Sequence, residues 1–309
     1  MQVQIRWRGV AVFLVLAFGL AWLVEIGLRP FGINLLTRAA LAMFAPAIAA
    51  YLVRGPLLQD GFRDSGGGLN LMHWKYYGLA YLIAPVLMTL GVLLALLTQE
   101  QHWALDANIH RLAHQLPIGH LPPGETKLYV AWVTFWTGAA NSLSVAIVLN
   151  VIFTFGEEFG WRGYLLPRLA PLGGVTAAVI VGIIWGFWHA PLIALDGYNF
   201  PGYPIAGIFA MLLFTVPLSI ILAWLRFHTR SVWPGVLLHA AINGQATVVA
   251  LLLSKGDSLL RPPVGLLGTV PFWLLAAWLI WTHRLEPAGQ SQIRQPAQEL
   301  APEAGTGAS

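Results

Sequence analysis

Seven residues in three short runs carry the side chains of this sequence best suited to chemistry. The first run is Gly156-Glu157-Glu158-Phe159-Gly160-Trp161-Arg162, two adjacent carboxylates followed by a guanidinium. On a helix, neighbouring residues are turned about 100° apart, whereas positions four apart share a face. Arg162 is therefore the expected partner of Glu158. Glu157 points along another stripe, shared with Thr154 and Asn150. The second run, Trp185-Gly186-Phe187-Trp188-His189, puts Gly182, Gly186 and the imidazole of His189 on one face, and small residues there let a neighbouring helix approach closely. The third is His239-Ala240-Ala241-Ile242-Asn243, an i, i+4 pair that aims an imidazole and a carboxamide at one point.

Two chemistries fit this set. A glutamate in an apolar cavity can act as a general base on water, with His189 holding that water and with His239 and Asn243 as donors to the oxyanion of a tetrahedral intermediate. Alternatively, Glu157, His189 and His239 form a three-ligand set for Zn2+ or another divalent metal, with water in the fourth place. No H-E-x-x-H helix is present, so a metal enzyme here is not of the zincin type. The sequence leaves both routes open, and a cofactor is not strictly required.

These residues must be held by membrane-spanning helices. Of 309 residues, 57% are hydrophobic and only 10% charged, against roughly 25% charged in soluble domains. Apolar stretches near the 20 residues or so needed to cross a bilayer occur about eight times, beginning near Gly9, Leu35, Tyr76, Ser142, Val175, Ile205, Val232 and Val264. The expectation is an all-α, polytopic transmembrane helical bundle of about eight helices. The first segment follows Arg6 and Arg8 but lacks a small-residue cleavage site, and reads as a retained helix. Most basic residues, from Arg6 and Arg54 to Arg226 and Arg284, fall on one side of such a bundle, which puts both termini in the cytoplasm.

A carboxylate or imidazole at membrane depth is costly and marks function by default. Counting helix rise from the turns near Pro171–Gly174 and Arg230 brings Glu157, His189 and His239 to a similar slab of the membrane. The zero cysteine count removes thiolate ligands and a cysteine nucleophile. The net charge of +4 is scattered singly through loops, which argues against nucleic acid as a partner. Residues 1–285 read as one membrane domain, with its motif core at about 150–245, and 286–309 as a disordered tail of Pro, Gln, Ala, Glu, Gly and Ser. The loop from Arg54 to Trp74, rich in glycine, reads as a flexible connection. Asp106, His110 and His114 read as a solvated helix face rather than a second metal site, and Glu25 with Arg29 as a structural i, i+4 pair.

The E-E-x-x-x-R run at Glu157, Glu158 and Arg162, the aromatic-x-x-x-His at Trp185 and His189, and the H-x-x-x-N at His239 and Asn243 resemble the ordered motifs of the CPBP intramembrane proteases. That family holds the type II CAAX prenyl endopeptidases and bacteriocin-processing or immunity proteins. The resemblance covers about Asn150 to Gln245. It implies an eight-helix fold in which Glu157 is the base, His189 its partner on the water, and His239 with Asn243 the oxyanion site, with Glu158, Arg162 and Trp185 in support. Trp185 departs from the pattern, which usually has Phe there. The implied activity is hydrolysis of a peptide bond in a membrane-associated protein or peptide, a lipidated one included, in a multi-pass protein of a bacterial cytoplasmic membrane. Two rivals stay open: a non-catalytic immunity or lipid- and peptide-binding protein of the same fold, and a small transporter. The transporter is disfavoured by the absence of an internal repeat.

Overall fold

The computed structural model describes residues 5–116 and 126–285, and among them every regular element is helical. The expected tail at 286–309 and the prolines Pro117, Pro122 and Pro123 lie outside the described residues. The helices in chain order are α1 (Trp7–Gly27), α2 (Leu35–Ala42), α3 (Ala45–Leu52), α4 (Trp74–Leu97), α5 (Leu105–Gln115), α6 (Lys127–Ser142), α7 (Val145–Gly160), α8 (Leu166–Leu169), α9 (Gly174–Trp188), α10 (Ala190–Asp196), α11 (Ala206–Thr229), α12 (Trp233–Leu252) and α13 (Leu266–Trp281).

Among the described residues, six helical segments are long and apolar enough to cross a membrane, and a seventh is if α6 and the α7–α8 segment, bent by 47°, count as one span. Helix α13 is apolar but has only 16 residues, about 24 Å of helix. The polytopic bundle is therefore as expected, but its spans are less regular than eight uniform rods. The stretch from Leu35 to Val53 breaks between α2 and α3, just ahead of Pro46. The one from Val175 to Leu195 breaks at His189, just ahead of Pro191 in the first turn of α10. Helix α6 was not expected as a separate element.

Close helix contacts set the position of the site. Gly182 and Gly186 face α11 so tightly that a Cβ on either would lie 2.7 Å from Val216 Cα or Thr215 Oγ1. The gap is bridged by hydroxyls: Thr215 Oγ1 donates to the Gly182 carbonyl at 2.9 Å and Ser219 Oγ to the Ala178 carbonyl at 2.8 Å. On α7, Gly160 is pressed against Pro46 of α3, where a Cβ would come within 2.3 Å. Small residues at such crossings let backbones meet where apolar lipid supplies no hydrophobic drive for association.

The loop between α3 and α4 is tied down rather than flexible. Arg54 Nη1 reaches Asp64 at 2.6 Å, and Arg54 Nη2 donates to the Gly163 carbonyl at 2.5 Å. Arg226 Nη2 donates to the Asp64 carbonyl at 2.6 Å, and Arg168 pairs with the Asp64 carboxylate. Trp233 Nε1 and Ser231 Oγ donate to the carbonyls of Gly67 and Gly68. Buried backbone and charged groups have found partners across the chain, which fixes the segment in place. Burial acts to raise the Asp64 carboxyl, but the hydrogen bond and charge of Arg54, with Arg168, outweigh it and hold the group below its ordinary range.

Glu25 and Arg29 do not pair. Arg29 bonds Asp196 at 3.1 Å and the Leu195 carbonyl, while Glu25 is 1% exposed with neither carboxylate oxygen bonded. His110 and Asp106 stand 3.7 Å apart on an exposed face of α5, as a solvated pair would.

Candidate active site

Glu157 and Glu158 sit three turns into α7, both buried, and the helix then widens into a π-helical turn, Trp161–Leu165, that carries Arg162. Such one-turn widenings recur at functional sites. Arg162 Nη1 meets Glu158 Oε1 at 3.0 Å, the i, i+4 pair expected from spacing. His239 Nδ1 meets the same oxygen at 3.0 Å. Glu158 thus joins α7 to α12 and holds the imidazole as well as the guanidinium.

Glu157 turns to a different partner, consistent with the 100° offset. Trp185 Nε1 donates to Glu157 Oε2 at 2.5 Å. The indole is the hub of the site. The guanidinium of Arg162 lies over its ring at 4.5 Å, the ring of His239 is 5.2 Å away in an edge contact, and that of His189 is at 6.0 Å. A cation over an aromatic face is attracted by the ring's charge distribution. A tryptophan here does more than pack, because it is a hydrogen-bond donor to one of the two central carboxylates.

His189 caps the C-terminus of α9, and its Nδ1 stands 2.9 Å from the Trp185 carbonyl one turn back. A carbonyl only accepts, so Nδ1 carries the proton and Nε2 is the nitrogen left for other partners. The same holds for His239 while Glu158 is ionised. Tyr198 stacks on His189 with its ring plane within 4° and their centroids 6.5 Å apart. No motif in the sequence pointed to Tyr198; it reaches the site because Gly197, in the left-handed region at φ 68°, turns the chain back after α10.

A cavity of about 580 Å³ opens beside these groups. Trp185, His189, His239, Asn243 and Asn150 line it together with Tyr198, and apolar side chains such as Met43, Phe153, Met211 and Phe214 form much of its wall. It extends along α12 to Ser258, Arg261 and Pro263, the end away from the Arg54, Arg168 and Arg226 cluster. Glu157 is 2% exposed and is not among the lining residues; the Trp185 indole stands at the wall in contact with it. Glu157, His189 and His239 do not converge as a metal-binding set: among the described residues no three His, Cys, Asp or Glu side chains are placed to hold an ion.

Comparison with known proteins bears on the segment that holds Glu157, Glu158, Arg162, Trp185, His189, His239 and Asn243. Residues 139–245 match the family model described as type II CAAX prenyl endopeptidase Rce1-like. The chain is similar to a CAAX prenyl protease 2 of Methanococcus maripaludis, 30% identical over 118 residues, which is 37% of this chain and 43% of that relative. The chain therefore spans less than half the length of the curated relative it matches. The matched segment holds the three motifs in order on α7, α9 and α12, and in that segment the chain is similar to the Rce1-like type II CAAX prenyl endopeptidases.

Proposed function

We propose that this protein is an intramembrane endopeptidase in which Glu157 activates water. The observation that supports the reading is that two imidazoles and one carboxamide line the inner end of a single cavity, with the Glu157 carboxylate directly behind the Trp185 indole in its wall. Trp185 occupies Oε2 of Glu157, so Oε1 is the oxygen that takes a proton from water. The hydroxide formed attacks the peptide carbonyl carbon, and Asn243 donates its amide N–H to the resulting oxyanion. As the C–N bond breaks, the proton held by Glu157 passes to the leaving nitrogen. His189 Nε2, free of the Trp185 carbonyl, accepts a hydrogen from the attacking water and orients it. His239, whose Nδ1 is held by Glu158, adds a second donor to the oxyanion only when Nε2 also carries a proton.

The substrate in this reading is a membrane-associated protein or peptide that enters the apolar cavity as an extended segment, with or without a lipid. The basic residues around Arg54 and Arg226 favour the cytoplasm for that side and for both termini, in a bacterial cytoplasmic membrane.

One observation favours the rival reading, a binding protein without catalysis: Glu157 stays covered by the indole rather than lining the cavity. Trapping separates the two. Cells carrying tagged Glu157→Gln protein should accumulate bound uncut peptides that the parent releases as fragments. Equal recovery of uncut peptide from both proteins supports the binder and ends the endopeptidase proposal.

A further inference from the structure

One buried acid, Glu25, takes no part in the chemistry assigned to Glu157. Along α1 the residues Val10, Phe13, Ala17, Ala21 and Glu25 recur at steps of three and four and are all buried, so they form the face turned into the bundle. Glu25 ends that apolar stripe with a carboxyl. The same stretch of α1 is clasped to the chain break at His189: Trp188 Nε1 donates to the Ala17 carbonyl at 3.3 Å, and Trp22 Nε1 to the Trp188 carbonyl at 3.1 Å. The cations nearby are spent on other groups. Arg38 donates to the Ile33 carbonyl and to the backbone carbonyl of Glu25, and it pairs with Asp196 at 3.1 Å. Arg29, half exposed, takes Asp196 and the Leu195 carbonyl. Both side-chain oxygens of Glu25 are buried without a protein partner. The charges that act on this carboxyl are those of Glu157, Arg38 and Asp196, and Glu25 and Glu157 both act on Tyr198.

We propose that Glu25 anchors a buried water site beside the catalytic groups, and that this site supplies Glu157 with the water it activates. The proposal rests on the endopeptidase reading. A carboxyl sealed from solvent needs hydrogen-bond partners, and where the protein provides none the partner is water or an ion. Among the described residues no three His, Cys, Asp or Glu side chains are placed to hold an ion, which favours water. The supply role follows from how Glu157 is enclosed. It is 2% exposed, and the Trp185 indole that bonds its Oε2 stands in the cavity wall, so a peptide filling the cavity closes that approach to water. Glu25 lies on a second approach: Arg38 and Asp196 beside it lead out to the half-exposed Arg29. Water thus enters at the end of α1 away from Arg6, while the peptide occupies the cavity. Glu25 acts through that water and is a positioning residue.

The test uses full-length protein in phosphatidylcholine membranes. Water-edited solid-state NMR on protein with isotope-labelled glutamate reads magnetisation passing from water to each carboxyl carbon, the Glu25 signal being assigned by its loss in Glu25→Gln. Transfer to Glu25 should build up nearly as fast as to the exposed Glu100. No transfer to Glu25 in the parent overturns the site, whether or not any variant folds. Kinetics on a reporter peptide test the supply role. Glu25→Gln keeps two polar atoms for the water and should retain kcat within a few-fold. Glu25→Leu should lower kcat about tenfold or more at unchanged KM, the worth of one or two hydrogen bonds. Leu in place of an unpartnered buried acid should also raise the unfolding midpoint, so stability and kcat move in opposite directions. Equal kcat in the parent and Glu25→Leu overturns the supply role, as does a kcat that falls only in step with stability. A parental kcat that needs added sodium or divalent ions, with the need abolished by Glu25→Leu, assigns the carboxyl to a cation and overturns the water site. Transfer to Glu25 in a protein that cuts no peptide spares the site and ends the endopeptidase reading. Cleavage by a protein whose Glu25 is dry ends the water site alone.

Discussion

Glu158→Gln isolates the charge that holds the site together. Glu158 is buried, and one of its oxygens accepts from both Arg162 and His239 at 3.0 Å. The glutamine amide oxygen can still accept from His239 Nδ1, so the change leaves that hydrogen bond possible and removes the negative charge opposite Arg162. Arg162 is itself 1% exposed, with Nε and Nη2 already unbonded. Breaking a buried pair from one side typically costs about 3–5 kcal/mol, because an uncompensated charge stays in the interior. Replacing both members by neutral groups costs far less, since the desolvation penalty goes with them. The double variant Glu158→Gln with Arg162→Met should therefore recover most of the loss, giving a coupling of a few kcal/mol. Denaturant unfolding of the four proteins in one mild detergent measures the cycle. A Glu158→Gln variant within about 1 kcal/mol of the parent, below the range for a broken buried pair, would refute the reasoning, as would additive losses in the double variant.

Two further outcomes follow from the same geometry. Trp185→Phe removes the indole N–H that covers Glu157 Oε2, so a lipid-soluble carbodiimide should modify Glu157 several-fold faster in that variant, read by peptide mass spectrometry; equal rates would show that the indole does not shield the carboxylate. The Asp64 carboxyl is held below its ordinary range by Arg54 and Arg168 against the pull of burial, so its contribution is fully present above the ordinary carboxylate pKa of about 4 and is lost as pH falls through the depressed value. Hydrogen exchange across residues 54–70 should accelerate in that acid window, and Asp64→Asn should show the faster exchange already at neutral pH.

The long apolar runs made α1, α4, α11 and α12 legible in the sequence, because a helix in lipid must satisfy its own backbone and shows this as about 20 apolar residues. Fixed helical spacing likewise disclosed the Glu158–Arg162 pair and the close face at Gly182 and Gly186. Features that depend on how helices are rotated against one another were not legible. The Trp185 bond to Glu157 joins residues 28 apart, and Arg54 reaches Gly163 across 109; neither leaves a periodic trace. Helix α6 escaped notice because its Thr, Gly, Asn and Ser residues dilute an apolar run. Arg29 looked paired with Glu25 by i, i+4 spacing, yet Asp196, brought in by the break at His189, takes the guanidinium instead.

The central claim is that Glu157 supplies the base for peptide hydrolysis inside the membrane. Purified parent and Glu157→Gln proteins, reconstituted in the same lipid, should be compared on a membrane-anchored reporter peptide identified from the trapped substrates. The parent should cleave it and the variant should lose at least about a hundredfold in rate, the lower range for removing a general base. Cleavage at equal rates by the two proteins would contradict that claim.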